Sequence, residues 1–231
     1  MMTEEERYYL STRDNLLRDI ADVAAVKAAA TDLGGLSVER VLDVGCGIGQ
    51  ALFPLAVLND ASGVGVDISQ RGLELGRQFY AEHLPDARIR FVRAGAESLP
   101  FASASFDLVN CGLALPYTRN IKTLSEVSRV LRPGGVFLLK IHHARFYLSE
   151  LWAGLRSADA SSVIHGGRVL AAGAVYHTFR RQPYVRFLNE SFQTRWLLAR
   201  ELAKCGMVIE GDQSVTSRLT PAYVIRKPAV K

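Results

Sequence analysis

The chain has 231 residues, 48% of them hydrophobic and 22% charged, which suits one α/β domain with a modest insertion and excludes a chiefly disordered protein. The formal net charge of +5 is compatible with an anionic ligand, an acidic surface or nucleic acid. No long run of like charge concentrates it, so plain solubility explains it equally well. Cys46, Cys111 and Cys205 are far apart, odd in number and without a C-x-x-C, which argues against a disulfide framework or a zinc site; no metal is expected. The polar, acidic start Met1 to Tyr9 lacks the character of a leader, and no apolar run reaches the roughly 18 residues a span needs. The expectation is a cytoplasmic protein with no membrane span.

Residues 1–35 read as an N-terminal helical segment. The spacing predicts an amphipathic helix over 13–30, with Leu16, Ile20, Val23 and Lys27 on one face, ended by Gly34-Gly35. Arg40 to Val44 is a short apolar strand that turns at once into Gly45-Cys46-Gly47-Ile48-Gly49, and Gln50 to Leu58 reads as a helix. Val64 to Asp67 is a second strand. Ser69 caps a helix that turns Leu73, Gly76, Phe79 and Tyr80 inward. Ile89 to Val92 and Phe106 to Asn110 are the third and fourth strands. A helix with Ile121, Leu124, Ser128 and Leu131 on one face follows, stopped by Pro133-Gly134-Gly135, and Val136 to Ile141 is the fifth strand. This alternation over 38–141 predicts a doubly wound α/β fold with a mostly parallel sheet covered on both faces.

After Ile141 the rhythm breaks. Residues 142–190 form an insertion too long for a simple loop, read here as a cap over the active site. A helix resumes at Phe192, Trp196, Ala199 and Ala203, ended by Cys205-Gly206, and Met207 to Glu210 and Ala222 to Arg226 complete seven strands within a single domain whose last part is 191–231.

The strand–glycine–helix run carries the chemistry. Glycines let the backbone turn sharply against a ligand, and a helix N-terminus offers unpaired N–H groups. The spacing is G-x-G-x-G rather than that of dinucleotide binders, because position 50 is Gln. Asp67, at the end of the second strand about 20 residues on, stands where an acid accepts hydrogen bonds from ribose hydroxyls.

Five motifs in order, V-L-D-V-G-C-G-I-G, V-G-V-D-I-S, A-E-S-L-P-F, S-F-D-L-V and L-S-E-V-S-R-V-L-R-P-G-G, resemble the class I S-adenosylmethionine-dependent methyltransferases. The likeness lies with the branch that includes ubiquinone/menaquinone-type enzymes and many small-molecule O- and N-methyltransferases. It covers about residues 38–141, with an echo in 192–226. It implies S-adenosylmethionine as cofactor and S-adenosylhomocysteine as product. On that resemblance Asp43 orients the methionine amino group and the backbone of Gly45, Cys46, Gly47 and Gly49 wraps the methionine. Asp67 holds the ribose, Ile68 packs on the adenine, Ala96 and Glu97 flank its edge, and Asn110 and Cys111 border the sulfonium. The branch often has Asp where this chain has Gly95, so either backbone groups replace that bond to the adenine or cofactor affinity is lower by the value of one hydrogen bond, about 1 kcal/mol.

Methyl transfer asks for alignment, exclusion of water and, for a hydroxyl acceptor, a base. His142 and His143, leaving the fifth strand, are the candidates. Adjacent strand residues point opposite ways, so at most one faces the site. Tyr147, His165 and His177 are secondary candidates, and Tyr8, Tyr9 and Arg13 are placed to close over the cofactor. The insertion carries Arg145, Arg156, Arg168, Arg180, Arg181 and Arg186 among Phe146, Tyr147, Trp152, Tyr176, Phe179, Tyr184 and Phe187. These suit an anionic or partly apolar acceptor, as well as an ordinary surface over an aromatic subcore.

The leading expectation is transfer to a hydroxyl of a small molecule, including anionic, sugar-linked or lipid-linked metabolites. Transfer to nitrogen or carbon, an RNA methyltransferase and a non-catalytic cofactor-binding subunit are the alternatives. No nucleic acid is expected as partner, because Asn110 to Tyr117 matches the N-P-P-Y motif of amino-directed enzymes only at Pro116-Tyr117 and no RNA-binding module is visible. The oligomeric state is open, a homodimer being one option.

Overall fold

The structure, a computed structural model, describes residues 4–183, 190–213 and 216–229. Tyr184, Arg186 and Phe187 of the insertion lie outside the described residues. Seven strands form one sheet: β1 (Arg40–Val44), β2 (Ser62–Asp67), β3 (Ile89–Arg93), β4 (Phe106–Gly112), β5 (Leu131–Lys140), β6 (Val208–Asp212) and β7 (Ala222–Arg226). Their spatial order is β3-β2-β1-β4-β5-β7-β6. The first five run parallel, and β7 enters antiparallel between β5 and β6. The order reverses at β1, which pairs with β2 on one side and β4 on the other. A doubly wound sheet opens its ligand crevice at the carboxyl ends of the strands beside such a switch.

Alternate strand residues feed two cores, one on each face. Leu42, Val44, Val109, Phe137 and Leu139 pack with α5 (Asn120–Val130) and α8 (Arg195–Lys204). Val41, Leu108, Val136 and Leu138 pack with α1 (Glu4–Ala21) and α4 (Gln70–His83). Apolar runs are therefore buried on both sides, as a parallel sheet requires. On α4 the expected inward set Leu73, Gly76, Phe79 and Tyr80 is buried, and the Ser69 hydroxyl accepts the Gly72 N–H as N-cap.

Four boundaries differ from the sequence reading. The N-terminal helix is longer and broken: α1 ends at Ala21, Asp22 caps α2 (Val23–Ala28) by accepting the Ala25 N–H, and Gly34-Gly35 come later. The stretch 50–58 is not one helix. Pro54 sits in a single turn, α3 (Leu52–Leu55), followed by a 3-10 turn at Val57–Asn59. Pro133-Gly134-Gly135 does not stop α5: the helix ends at Val130, and Leu131 already belongs to β5, so Ile121 is 40% exposed and Leu124, Val127 and Ser128 form the inner face. On α8 the inward face is Leu197, Leu198 and Leu202. Trp196 is 59% exposed, and Phe192 precedes the helix, which Thr194 caps.

The insertion is a helical hairpin of α6 (Ala144–Ser157) and α7 (Ala160–Phe179). Gly154, Gly166 and Gly173 set its packing. A Cβ on Gly166 would crowd the Tyr147 carbonyl of α6, and one on Gly173 would overlap the Phe192 ring ahead of α8. Small residues on the packed side of α7 blur the contrast between its faces, and this is why the sequence shows no clear helical period there.

Candidate active site

The turn after β1 is held by its neighbours. The Gly45 and Cys46 N–H groups both donate to the Val66 carbonyl of β2, at 2.8 and 3.1 Å. Gly45, Gly47 and Gly49 all have positive φ (+73°, +53° and +87°), conformations that favour glycine. A Cβ on Gly45 would overlap that of Ala114, so the β4 exit loop lies directly on the turn. Leu113 in that loop also takes a left-handed backbone (φ +71°), a conformation a bulky residue adopts only where its surroundings impose it.

Asp67 ties the turn to β2. Its Oδ2 accepts the Gly47 N–H at 2.8 Å and its Oδ1 the Ser69 N–H at 2.9 Å. Each carboxylate oxygen keeps a second lone pair, so both remain available to a diol. Asp43 is 3% exposed, and its Oδ1 accepts from Asn110 Nδ2 at 2.7 Å. Burial raises its pKa to about 7, against the lowering effect of the Asn110 bond, and the charge of Asp67 adds to the rise.

A cleft of about 470 Å³ opens here, lined by Gly45, Asp67, Ile68, Ala96, Leu113, Ala114, Tyr117 and His142, with Tyr8 of α1 at its edge. Ile68 is 73% exposed, a bare apolar side chain at the rim. A second cavity, about 340 Å³, lies between α1 and α4 around Tyr9, Leu10, Arg13 and Arg71 and meets the glycine turn only at Ile48. Tyr9 covers Gly47 and Gly72, and its hydroxyl donates to Ser69 Oγ at 2.9 Å.

The structure separates the remaining candidates. Cys46 contributes backbone only: its side chain is buried against Gly65, and burial pushes the thiol pKa up. Cys111 is wholly buried in the core, with its thiol pushed up to about 12, so its side chain does not border the cleft; Gly112, Leu113 and Ala114 do. Asn110 acts through Asp43. The Glu97 Oε1 accepts the Arg119 N–H at 2.8 Å and braces the loop before α5, while Ala96 lines the cleft. Gly95 is exposed and brings no side chain there.

His142 lines the cleft and His143 does not: His143 caps α6, with its Nδ1 accepting the Arg145 N–H at 3.3 Å. The His142 ring stacks on Phe146, centroids 4.0 Å apart and 8° between planes, and its Nδ1 lies 3.2 Å from the Tyr147 hydroxyl. Burial, with help from Lys140, lowers the His142 pKa to about 4. Burial and the charge of Glu190 push the phenols of Tyr117 and Tyr147 upward, so neither is a base near neutral pH. His177 spans Gly173 O and Thr194 Oγ1, at 2.7 and 3.0 Å, and is spent on packing. The arginines Arg145, Arg156, Arg180 and Arg181 are exposed, and none of them lines the cleft. Glu150 and Glu190 are near enough to the cleft residue Tyr117 to push its phenol pKa upward, and Arg168 of α7 is half-buried. Among the described residues no cluster suits a metal ion, and no helix is long and apolar enough to cross a membrane.

Comparison with known proteins agrees with this geometry. A family model described as a methyltransferase domain matches residues 41–135. A phthiotriol/phenolphthiotriol dimycocerosates methyltransferase of Mycobacterium tuberculosis is 42% identical over 112 residues, 48% of this chain and 39% of that protein. A fatty-acid O-methyltransferase of Mycolicibacterium smegmatis is 36% identical over 143 residues, 61% of this chain and 50% of that protein. The chain thus spans half or less of the length of these two curated relatives. A solved S-adenosylmethionine-dependent methyltransferase of Methanosarcina mazei shares the fold, with a TM-score of 0.59 at 20% identity over 84% of this chain and 94% of that one. Residues 41–135 thus match a methyltransferase domain, and the chain shares the fold of that solved S-adenosylmethionine-dependent methyltransferase, with the same kind of open sheet and a glycine turn tied by Asp67.

Proposed function

We propose that this chain methylates a hydroxyl of a small, largely apolar, lipid-linked acceptor, with His142 as the base. The observation that carries the reading is the placement of a neutral, buried imidazole on the same cleft as Asp67 and the glycine turn. The cofactor supplies an activated methyl group on sulfur. Asp67 would hold its ribose, Asp43 its ammonium, the turn 45–49 its methionine and Ile68 its adenine. All four fit: a buried carboxylate raised by desolvation suits a cation, and a bare apolar rim suits a base. With the cofactor bound, its S–CH₃ bond would break as the acceptor oxygen takes the methyl group, and His142 would receive that oxygen's proton. The α6–α7 hairpin backs His142 through Phe146 and Tyr147. Apolar lining by Leu113 and Ala114 supports an apolar acceptor, and the fatty-acid O-methyltransferase relative supports a long alkyl chain on it, though not the carboxylate as the methylated group. A carboxylate acceptor needs no base and would meet Glu150 and Glu190, so a hydroxyl is favoured. Incubation with radiolabelled S-adenosylmethionine should label long-chain alcohols or phenols and spare fatty acids and amines. Label confined to amines, carbon or carboxylates overturns the reading.

Asp43 gives the cofactor site a proton signature. The pKa near 7 means that much of this carboxyl holds a proton below pH 7, and a bound ammonium drives it off. Affinity for S-adenosylhomocysteine should therefore fall by up to roughly tenfold per pH unit as pH drops from 7 to 5, and be flat above 8. Calorimetry at pH 6 in two buffers of different ionisation enthalpy should show release of about one proton. Asp43→Asn should abolish the release, and unchanged proton stoichiometry in that variant counts against the assignment.

A further inference from the structure

The base assigned above has a rear partner that the cofactor motifs do not reach. The Tyr147 hydroxyl lies between two groups: it donates to Glu190 Oε1 at 2.7 Å and stands 3.2 Å from His142 Nδ1. Tyr147 is fully buried, and Glu190 is 6% exposed. The other oxygen of Glu190 is 3.5 Å from His165 Nε2. The four groups come from the end of β5, from α6, from α7 and from the segment ahead of α8, so they meet only when the hairpin is folded against the sheet.

We infer that Tyr147 and Glu190 are positioning residues that lock His142 in the Nδ1–H tautomer, leaving Nε2 as the atom that takes the acceptor's proton. The argument is a count of protons. A carboxylate offers only acceptors, so the single phenolic proton is committed to Glu190. The phenol oxygen then presents lone pairs to His142, and the contact is satisfied only if Nδ1 carries a hydrogen. A neutral imidazole has one donor and one acceptor nitrogen, so Nε2 keeps its lone pair. Stacking on Phe146 fixes the ring plane, and the edge of Tyr147 fixes its rotation. When Nε2 takes a proton, no heavy atom has to move: the imidazolium keeps its Nδ1–H bond, and the chain through Tyr147 ends on the Glu190 carboxylate, which opposes the new positive charge. The same division of labour between a base and an orienting acid operates in hydrolytic triads, here with a phenol interposed.

This inference rests on His142 being the base, but its test does not require turnover. The full chain, labelled with ¹⁵N-histidine, is examined at pH 7 by long-range ¹H–¹⁵N correlation, which distinguishes a protonated from an unprotonated ring nitrogen. Its five histidines are few enough for His142 to be assigned by His142→Gln. The wild type should show Nδ1 protonated and Nε2 bare. Tyr147→Phe and Glu190→Gln should each move His142 to a mixture or to the Nε2–H form, and Glu190→Asp should retain more of the original form. S-adenosylhomocysteine affinity should stay within about twofold in all of them, which shows that the fold and the cofactor turn are intact. An Nε2–H tautomer in the wild type overturns the inference without any variant. So does an unchanged tautomer in both Tyr147→Phe and Glu190→Gln. Near-native turnover of His142→Ala would instead sink the base assignment and leave the tautomer lock standing, so the two failures are told apart.

Discussion

Asp67→Ala is expected to weaken S-adenosylhomocysteine binding by roughly 10²–10⁴-fold. Two charge-assisted hydrogen bonds to the ribose are lost, each worth about 1.5–3 kcal/mol, and every 1.4 kcal/mol or so is tenfold in affinity. The structure adds a second cost: the same carboxylate holds the Gly47 and Ser69 N–H groups, so its removal frees the middle of the glycine turn and the start of α4. Asp67→Asn separates the two costs, because its one carbonyl oxygen cannot hold both N–H groups and both hydroxyls. It should fall between wild type and alanine. Calorimetry reads both variants. Wild-type affinity in Asp67→Ala would remove the ribose role from this residue.

His142→Ala carries the second large effect, a fall in kcat of about 10²–10⁴ with the acceptor identified, the usual contribution of a general base. Cofactor affinity should hardly change, because the imidazole meets the cleft on the side of β5 and Tyr117 rather than at the ribose. The pH profile is the sharper signature. A histidine of ordinary pKa loses its basic form as pH drops through about 6.5, whereas burial holds His142 near 4. The basic form is therefore present throughout pH 5–8, and the base's limb of the kcat profile should appear only near pH 4. A limb at 6.5 would indicate an exposed base elsewhere. His143→Ala should leave kcat near native and cost at most about 1 kcal/mol of stability, since its one bond caps α6.

A further consequence concerns the acceptor. Arg145, Arg156, Arg180 and Arg181 are exposed, while Glu150 and Glu190 act on Tyr117 at the cleft, which on the proposed reading suits a neutral acceptor. The outer charge is left to solvent or to whatever the hairpin meets.

What was legible from the amino acids alone is what local chemistry dictates. The mainly apolar runs Val41 to Val44 and Val136 to Ile141, separated by helical spacing, point to a parallel sheet, because burial on both faces tolerates them. Glycines at 45, 47 and 49 signal positive φ, and all three have it. Asp67 was placed by its distance from that turn along a βαβ unit, which is a property of the chain's geometry. The hairpin was not legible as helices, since the small residues that let α7 pack closely also erase the contrast between its faces. Nor were the roles of Cys111, Glu97 and Trp196, which depend on where the end of a strand, the tip of a loop and the face of a helix come to lie. Which of two adjacent histidines faces the cleft was decided by the direction in which β5 ends, and the pairing of Tyr147 with Glu190, 43 residues apart, by the folding of the hairpin against the sheet. Contacts between distant segments are set by packing that no short window of sequence encodes. The glycine turn and its tie to Asp67, built within one βαβ unit, were therefore readable in advance, and the cluster of His142, Tyr147 and Glu190 was settled only in three dimensions.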